Sequence, residues 1–266
     1  MLLQNNLPQV MGILNVTPDS FSDGGKFFSS KSAFEQARTI FEEGADIIDI
    51  GGESTRPGSK SVSAQEEIDR VIPVVEQIKT EFPISISVDT SKSIVMDEAI
   101  KAGADIINDI MALRGKNSLN IVANSNVKVC LMHIQGKPRT MQANPYYTDI
   151  VEEIKIFLLD RTQACIDAGI TKDRIIIDPG FGFGKNLEHN LTLMRNLVDF
   201  TKIGYPVLVG ISRKHMIGKI LNKPVTERLY GGIALAVLAV DRGAKIIRTH
   251  DVAITVDAIK ITQAVI

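Results

Sequence analysis

Cysteine is scarce in this chain. Cys130 and Cys165 are the only two in 266 residues, and they form neither a metal-ligand spacing nor a disulfide framework. A reducing cytoplasm is therefore the expected compartment. An excess of charge of either sign is also missing: 30 Lys and Arg stand against 31 Asp and Glu, a formal net charge of −1. No overall basic field would draw nucleic acid or an anionic membrane, and neither is expected as a partner. Long hydrophobic runs are absent too. The longest clean one, Ile233 to Val240, falls far below the ~20 residues of a membrane span. Met1 to Asn6 has neither the basic n-region nor the long apolar h-region of a signal peptide, so none is expected. Among the histidines, His133, His189 and His215 show no metal-ligand spacing. No nucleophile stands out: Cys130 lies in an apolar strand and reads as packing, and Ser212 lacks the elbow of a hydrolase serine. Chemistry of this kind points to positioning two substrates and stabilising a leaving group.

What the chain does have is apolar material and rhythm. Hydrophobic residues make up 44% of it, enough for a substantial core. Short apolar runs alternate with amphipathic segments from end to end, with no linker and no shift in composition. Val10 to Leu14, Asp46 to Ile50, Pro83 to Val88, Asp105 to Asp109, Val127 to Met132, Arg174 to Asp178, Pro206 to Val209 and Ala244 to Ile247 read as strands. Helical segments follow each, among them Lys31 to Glu43, Ser63 to about Thr80 with a capping-box spacing at Ser63 and Glu66, Tyr147 to Ala168, and Leu187 to Phe200. Strand-then-helix alternation implies parallel strands joined by helical crossovers. Eight units in one domain over 1–266 suit a (β/α)8 TIM barrel, with a doubly wound open sheet as the alternative.

In such a barrel the active site lies at the carboxyl ends of the strands. Nearly every predicted strand ends in a polar residue: Asn15, Asp49 with Glu53, Asp89, Asn108 with Asp109, His133, Asp178, Ser212 with Lys214, and Arg248 with His250. These divide by chemistry. Asp89, Asn108, Asp178 and Lys214 suit the edge of a flat heterocycle bearing ring N–H and amino donors, with Asp178 as the anchor for an amino-amidine edge. For Asp89, capping of the helix after Ser91 is a rival reading. Asn15, Thr55, Arg56, Arg248 and His250 supply amide, hydroxyl and cationic donors suited to a phosphate or pyrophosphate. The polar stretch Thr17 to Gly25 is longer than a turn requires, and its Gly24-Gly25 pair suits a lid.

The motifs Asn15-Val-Thr-Pro-Asp-Ser-Phe-Ser-Asp-Gly24, Asp49-Ile-Gly-Gly-Glu-Ser-Thr-Arg-Pro-Gly58, Asp178-Pro-Gly-Phe-Gly-Phe-Gly-Lys185, Ser212-Arg-Lys214 and Arg248-Thr-His-Asp-Val252 together resemble the dihydropteroate synthase family. The likeness runs in order from about Met11 to Val252. It implies condensation of (7,8-dihydropterin-6-yl)methyl diphosphate with 4-aminobenzoate, releasing pyrophosphate, by a homodimer that uses magnesium. Asp89, Asn108, Asp178 and Lys214 match the family's pterin-binding positions. Thr55, Arg248 and His250 match its diphosphate positions, with Arg56 beside them, and Asn15 matches the magnesium ligand. Ser212, Lys214 and Phe183 resemble the aminobenzoate site, with Phe21, Thr55 and Pro57 in the two long loops near it. Catalysis is then expected to fall to Arg248, His250 and Lys214. Corrinoid-dependent methyltransferases share the pterin cradle, but they would not need the anion-binding set.

Overall fold

The computed structural model describes residues 8–17, 26–54 and 61–266, with 26–30 by backbone alone. The chain opens with β1 (Gln9–Asn15), α1 (Lys26–Glu42), β2 (Ile47–Gly51), α2 (Ala64–Glu81), β3 (Ser85–Asp89) and α3 (Ser93–Lys101). It continues through β4 (Ile106–Asp109), α4 (Ser118–Ala123), β5 (Lys128–Met132), α5 (Ile150–Asp167) and β6 (Ile175–Asp178). After β6 come α6 (Leu187–Arg195), α7 (Leu197–Thr201), β7 (Leu208–Gly210), α8 (His215–Leu221), α9 (Leu229–Asp241), β8 (Ile246–Thr249) and α10 (Val252–Val265).

All eight strands belong to one parallel sheet in the order β6-β5-β4-β3-β2-β1-β8-β7. Its two ends meet through a bridge between Ile177 and Val207, where the Ile177 amide donates to the Pro206 carbonyl at 3.0 Å. The sheet therefore curls into a nearly closed (β/α)8 TIM barrel, and the open doubly wound alternative is ruled out. Outward-facing Val10, Ile48, Ile86, Ile107, Val129, Ile175 and Ile247 form one core with the helices. Met11, Ile47, Ile106, Cys130, Ile176, Leu208 and Ile246 fill the lumen. Cys130 is thus a packing residue, as expected, and burial pushes its thiol up.

Some local expectations need correction. Ser63 accepts from the Glu66 amide at 3.1 Å, but the Glu66 carboxylate turns to Arg70, so only half of the capping box forms. As expected, α2 runs on past Pro73, to Glu81. An interior proline costs about 3 kcal/mol. Burial of Val71, Val74, Val75 and Ile78, at about 1.5–3 kcal/mol each, outweighs it. The segment read as one helix from Leu187 to Phe200 is two, divided at Asn196. Helix α8 begins at His215 and occupies a stretch to which the sequence pattern assigns no element.

Candidate active site

The site grows directly out of the lumen packing. Side chains two apart on a strand share a face. On β2, β4, β6 and β8 an isoleucine enters the lumen layer: Ile47, Ile106, Ile176 and Ile246. Two residues further on, each of these strands carries a polar group: Asp49, Asn108, Asp178 and Arg248. The alternation that packs the lumen therefore stacks a polar layer on an aliphatic one, at the carboxyl end of the barrel. Asp89, the last residue of β3, is level with Asn108 on one side and Gly51 on the other.

Asp49 has no exposed surface, and two of these groups converge on its Oδ2. Arg248 Nε donates to it at 2.5 Å and Asn108 Nδ2 at 3.1 Å. The guanidinium also reaches across to Asp89, Nη2 to Oδ2 at 2.9 Å. Burial lifts the Asp89 carboxyl to about 7, although Arg248 opposes the rise. Burial works to lower the Arg248 pKa, but the carboxylates of Asp49 and Asp89 carry it above the ordinary range. Asp89 does not cap the next helix: the N-cap of α3 is Lys92, whose amide is received by Thr90 Oγ1.

Across the mouth, Asp178 Oδ1 accepts the Gly180 amide at 2.7 Å, and burial raises its pKa against the pull of Lys214. Lys214 donates to the Phe181 carbonyl and sits 4.6 Å from the centroid of the Phe183 ring. Burial lowers its ammonium to about 8, with Asp178 opposing. Beside it, Ser212 Oγ receives the His250 amide at 3.2 Å and lies 3.1 Å from His250 Nδ1. Asn15 closes the ring at the end of β1. A Cβ on Gly51 would meet both Asn15 Oδ1 and Asp89 Cβ at 3.8 Å, so the two side chains flank one glycine.

A family model described as "Pterin binding enzyme" matches residues 11–250. The dihydropteroate synthase of Haemophilus influenzae is 55% identical over 98% of this chain and 95% of its own length. That of Escherichia coli K12 is 51% identical over 97% and 91%. The chain belongs to the dihydropteroate synthase family. It is accordingly an enzyme, a transferase. Among solved structures, the dihydropteroate synthase of Yersinia pestis with a sulfonamide drug superposes at a TM-score of 0.93 with 50% identity, covering 97% of this chain and 94% of that one. That of Xanthomonas albilineans with 4-aminobenzoic acid gives 0.92 and 47%, covering 97% and 93%.

Against this family frame, the barrel gathers Asn15, Asp89, Asn108, Asp178, Phe183, Ser212, Lys214, Arg248 and His250 around one mouth. Thr55, Arg56, Pro57 and Phe21 lie outside the described residues, as does all but Thr17 of the suggested lid, Thr17 to Gly25. The heterocycle set and the anion set are in contact, because Arg248 of one is bonded to Asp89 of the other. Three strand exits serve loops instead of the mouth. Asp109 receives the amides of Met111 and Leu113, Glu53 pairs with Lys92, and buried His133 meets Lys185 Nζ at 3.0 Å. Asp49 was legible as a strand-end carboxylate, but its part as the hub beneath Arg248 and Asn108 was not. Its place two residues after a lumen isoleucine was the available signal.

Proposed function

We propose that this family member joins (7,8-dihydropterin-6-yl)methyl diphosphate to 4-aminobenzoate, giving 7,8-dihydropteroate and pyrophosphate. The observation that carries this reading is the polar layer above Ile47, Ile106, Ile176 and Ile246. It offers two carboxylates and an amide to a pterin edge, with a cation spanning the carboxylates Asp49 and Asp89. Asp178 would take the amino-amidine edge, with Asn108 and Asp89 beside it and Lys214 on the ring carbonyl. Arg248 and His250 would meet the diphosphate on the side of the mouth nearest β8. The aminobenzoate would enter against Phe183, Ser212 and Lys214, where its neutral amine attacks the methylene carbon as the bond to the diphosphate oxygen breaks. Holding both partners in line makes the displacement effectively unimolecular. The complex of the Xanthomonas albilineans relative with 4-aminobenzoic acid supports the second substrate.

Magnesium belongs to this reading as well. No cluster of three or more His, Cys, Asp or Glu that could hold a metal occurs among the described residues. Magnesium bound through substrate phosphates needs only one or two protein oxygens, and the amide oxygen of Asn15 at the end of β1 fits that demand. Bound there, the ion would neutralise charge on the departing pyrophosphate. Chelation should abolish turnover and added magnesium restore it; chelator-resistant turnover removes the metal from the reading.

No helix among the described residues is long and apolar enough to cross a membrane. The two free, buried cysteines suit the cytoplasm. Homodimer formation through the last helices is supported by exposed Ile254, Ile261 and Val265 on α10 and Leu238 on α9. Sedimentation at micromolar concentration checks it. The decisive experiment for the reaction measures pyrophosphate from the pterin diphosphate with and without 4-aminobenzoate. Release in both conditions, or in neither, overturns the proposal.

A further inference from the structure

The glycine-rich turn after β6 is held carbonyl by carbonyl. Gly180, Gly182 and Gly184 all adopt positive φ, at 74°, 79° and 64°, which leaves the turn's carbonyls pointing away from any helix or strand ladder. Three side chains from elsewhere in the chain, and Lys185 at the end of the turn itself, donate to four consecutive carbonyls. Phe181 O takes Lys214, Gly182 O takes Gln142 Nε2 at 2.5 Å, Phe183 O takes Lys185 Nζ at 3.0 Å, and Gly184 O takes Tyr147 Oη at 2.9 Å. Of these donors only Lys214 has a place in the reaction proposed above. Lys185 is 2% exposed and is fixed at its other side by His133 Nδ1 at 3.0 Å. The Phe183 ring rests against the apolar cluster of Ile110, Met132, Ile134 and Met141 on one side and the Lys214 ammonium on the other.

We infer that Lys185, with Gln142 and Tyr147, is a positioning group that fixes the Phe183 segment where 4-aminobenzoate docks. The inference rests on the proposed reaction. Gln142 and Tyr147 lie in and just after the long loop that follows β5, to which the sequence assigns no role. The structure gives that loop a function: it delivers two of the donors that shape the turn. The pterin groups are held by other partners, Asp89 by Arg248, Asn108 by Asp49 and Asp178 by the Gly180 amide. Loosening the turn at Phe183 should therefore weaken one substrate and spare the other.

The test compares wild type with Gln142→Ala, Tyr147→Phe and Lys185→Met, assayed by pyrophosphate release after thermal melting shows each to be folded. One lost hydrogen bond should raise KM for 4-aminobenzoate by about threefold to tenfold, with KM for the pterin diphosphate held within about twofold. Lys185→Met should show the largest effect. Gln142 is exposed, so its variant keeps the test intact even if the buried lysine proves necessary for folding. Unchanged KM for 4-aminobenzoate in the folded variants overturns the inference, and so does an equal rise for both substrates. A wild-type protein that releases no pyrophosphate overturns the reaction, and this inference with it.

Discussion

Arg248 Nε lies 2.5 Å from Asp49 Oδ2, and that contact ties β8 to β2 over the end of the intervening β1. The pair does more than balance charge. Asp49 is fully buried, and the other arm of the guanidinium holds Asp89. One arginine thus orients a buried carboxylate and a substrate-facing one together.

Arg248→Ala should consequently damage both halves of the site. Removing the cation strands two carboxylates, one of them fully buried, and loss of a charge-stabilising donor of this type costs about 100-fold or more in turnover. Weaker binding of free pterin should accompany the loss, because Asp89 is left without its partner. Arg248→Lys keeps the charge but cannot bridge two carboxylates with one planar fork, so it should fall between the two. Steady-state kinetics and pterin calorimetry on the same preparations check this. Free-pterin affinity unchanged in Arg248→Ala would show that Asp89 is oriented independently of the arginine.

Stability should depend on pH in two windows. The Asp89 carboxyl is raised from 3.8 to about 7, so the folded form holds its proton longer than the unfolded chain does. The stability it contributes is fully present below 3.8 and is lost as pH rises through about 7. Lys214 behaves in the opposite sense. Its pKa is depressed from 10.5 to about 8, so its contribution is present above 10.5 and is lost as pH falls through about 8. Denaturant melts of the unliganded protein should accordingly show Asp89→Asn flattening the acidic limb and Lys214→Met the basic limb. Curves that run parallel to wild type in both windows would contradict the burial of these charges.

Much of this was written in the sequence, and the part that was not has physical reasons. Strand-then-helix alternation announced the barrel because β-period and helix-period patterns each recur eight times. Asp89, Asn108 and Asp178 were visible because they end apolar runs. Arg248 was read as lying beyond its strand, whereas β8 extends to Thr249. That shift places it on the Ile246 face and sends it into the lumen. The short helix α8 spans seven residues, less than two full turns, which is too little for an amphipathic period to register. The Lys185 contacts were illegible for a different reason. They join the Gly-rich turn to His133, 52 residues away, and no local pattern encodes such a pairing.

Lys92 should prove necessary for folding in a way its position after β3 conceals. Its ammonium lies between the carboxylates of Glu53 and Glu67, and Glu67 is only 1% exposed. Glu53 in turn receives the Val62 amide with its second oxygen, so the same cation steadies the stem of the loop after β2. Lys92→Met leaves a buried carboxylate unpaired and should cost about 3 kcal/mol. Adding Glu67→Gln removes that charge and should recover a large part of the loss. Chemical denaturation of the single and double variants measures the coupling, and strictly additive losses would exclude it.

Gly180→Ala should be among the most damaging single-methyl changes in the chain, and a second glycine shows why. At Gly169, φ is 93° and a Cβ would meet nothing within 4 Å, so alanine there pays only the left-handed backbone strain, about 1–2 kcal/mol. At Gly180, φ is 74° and the Cβ would fall 1.9 Å from the His133 carbonyl oxygen, a backbone atom that cannot swing aside. Relieving the overlap requires β5 and the turn after β6 to part, which would break the contacts of Lys185 with His133 and of Gly180 with Asp178. The expected cost is at least about 3 kcal/mol, the strain plus overpacking. Thermal melts of the two alanine variants should therefore differ clearly. Turnover should fall in Gly180→Ala well before the protein unfolds, because the backbone that must yield is the one presenting Asp178 and Phe183. Equal melting points for the two would mean that the β5 exit gives way freely, and the turn would then be too soft to hold a substrate in line.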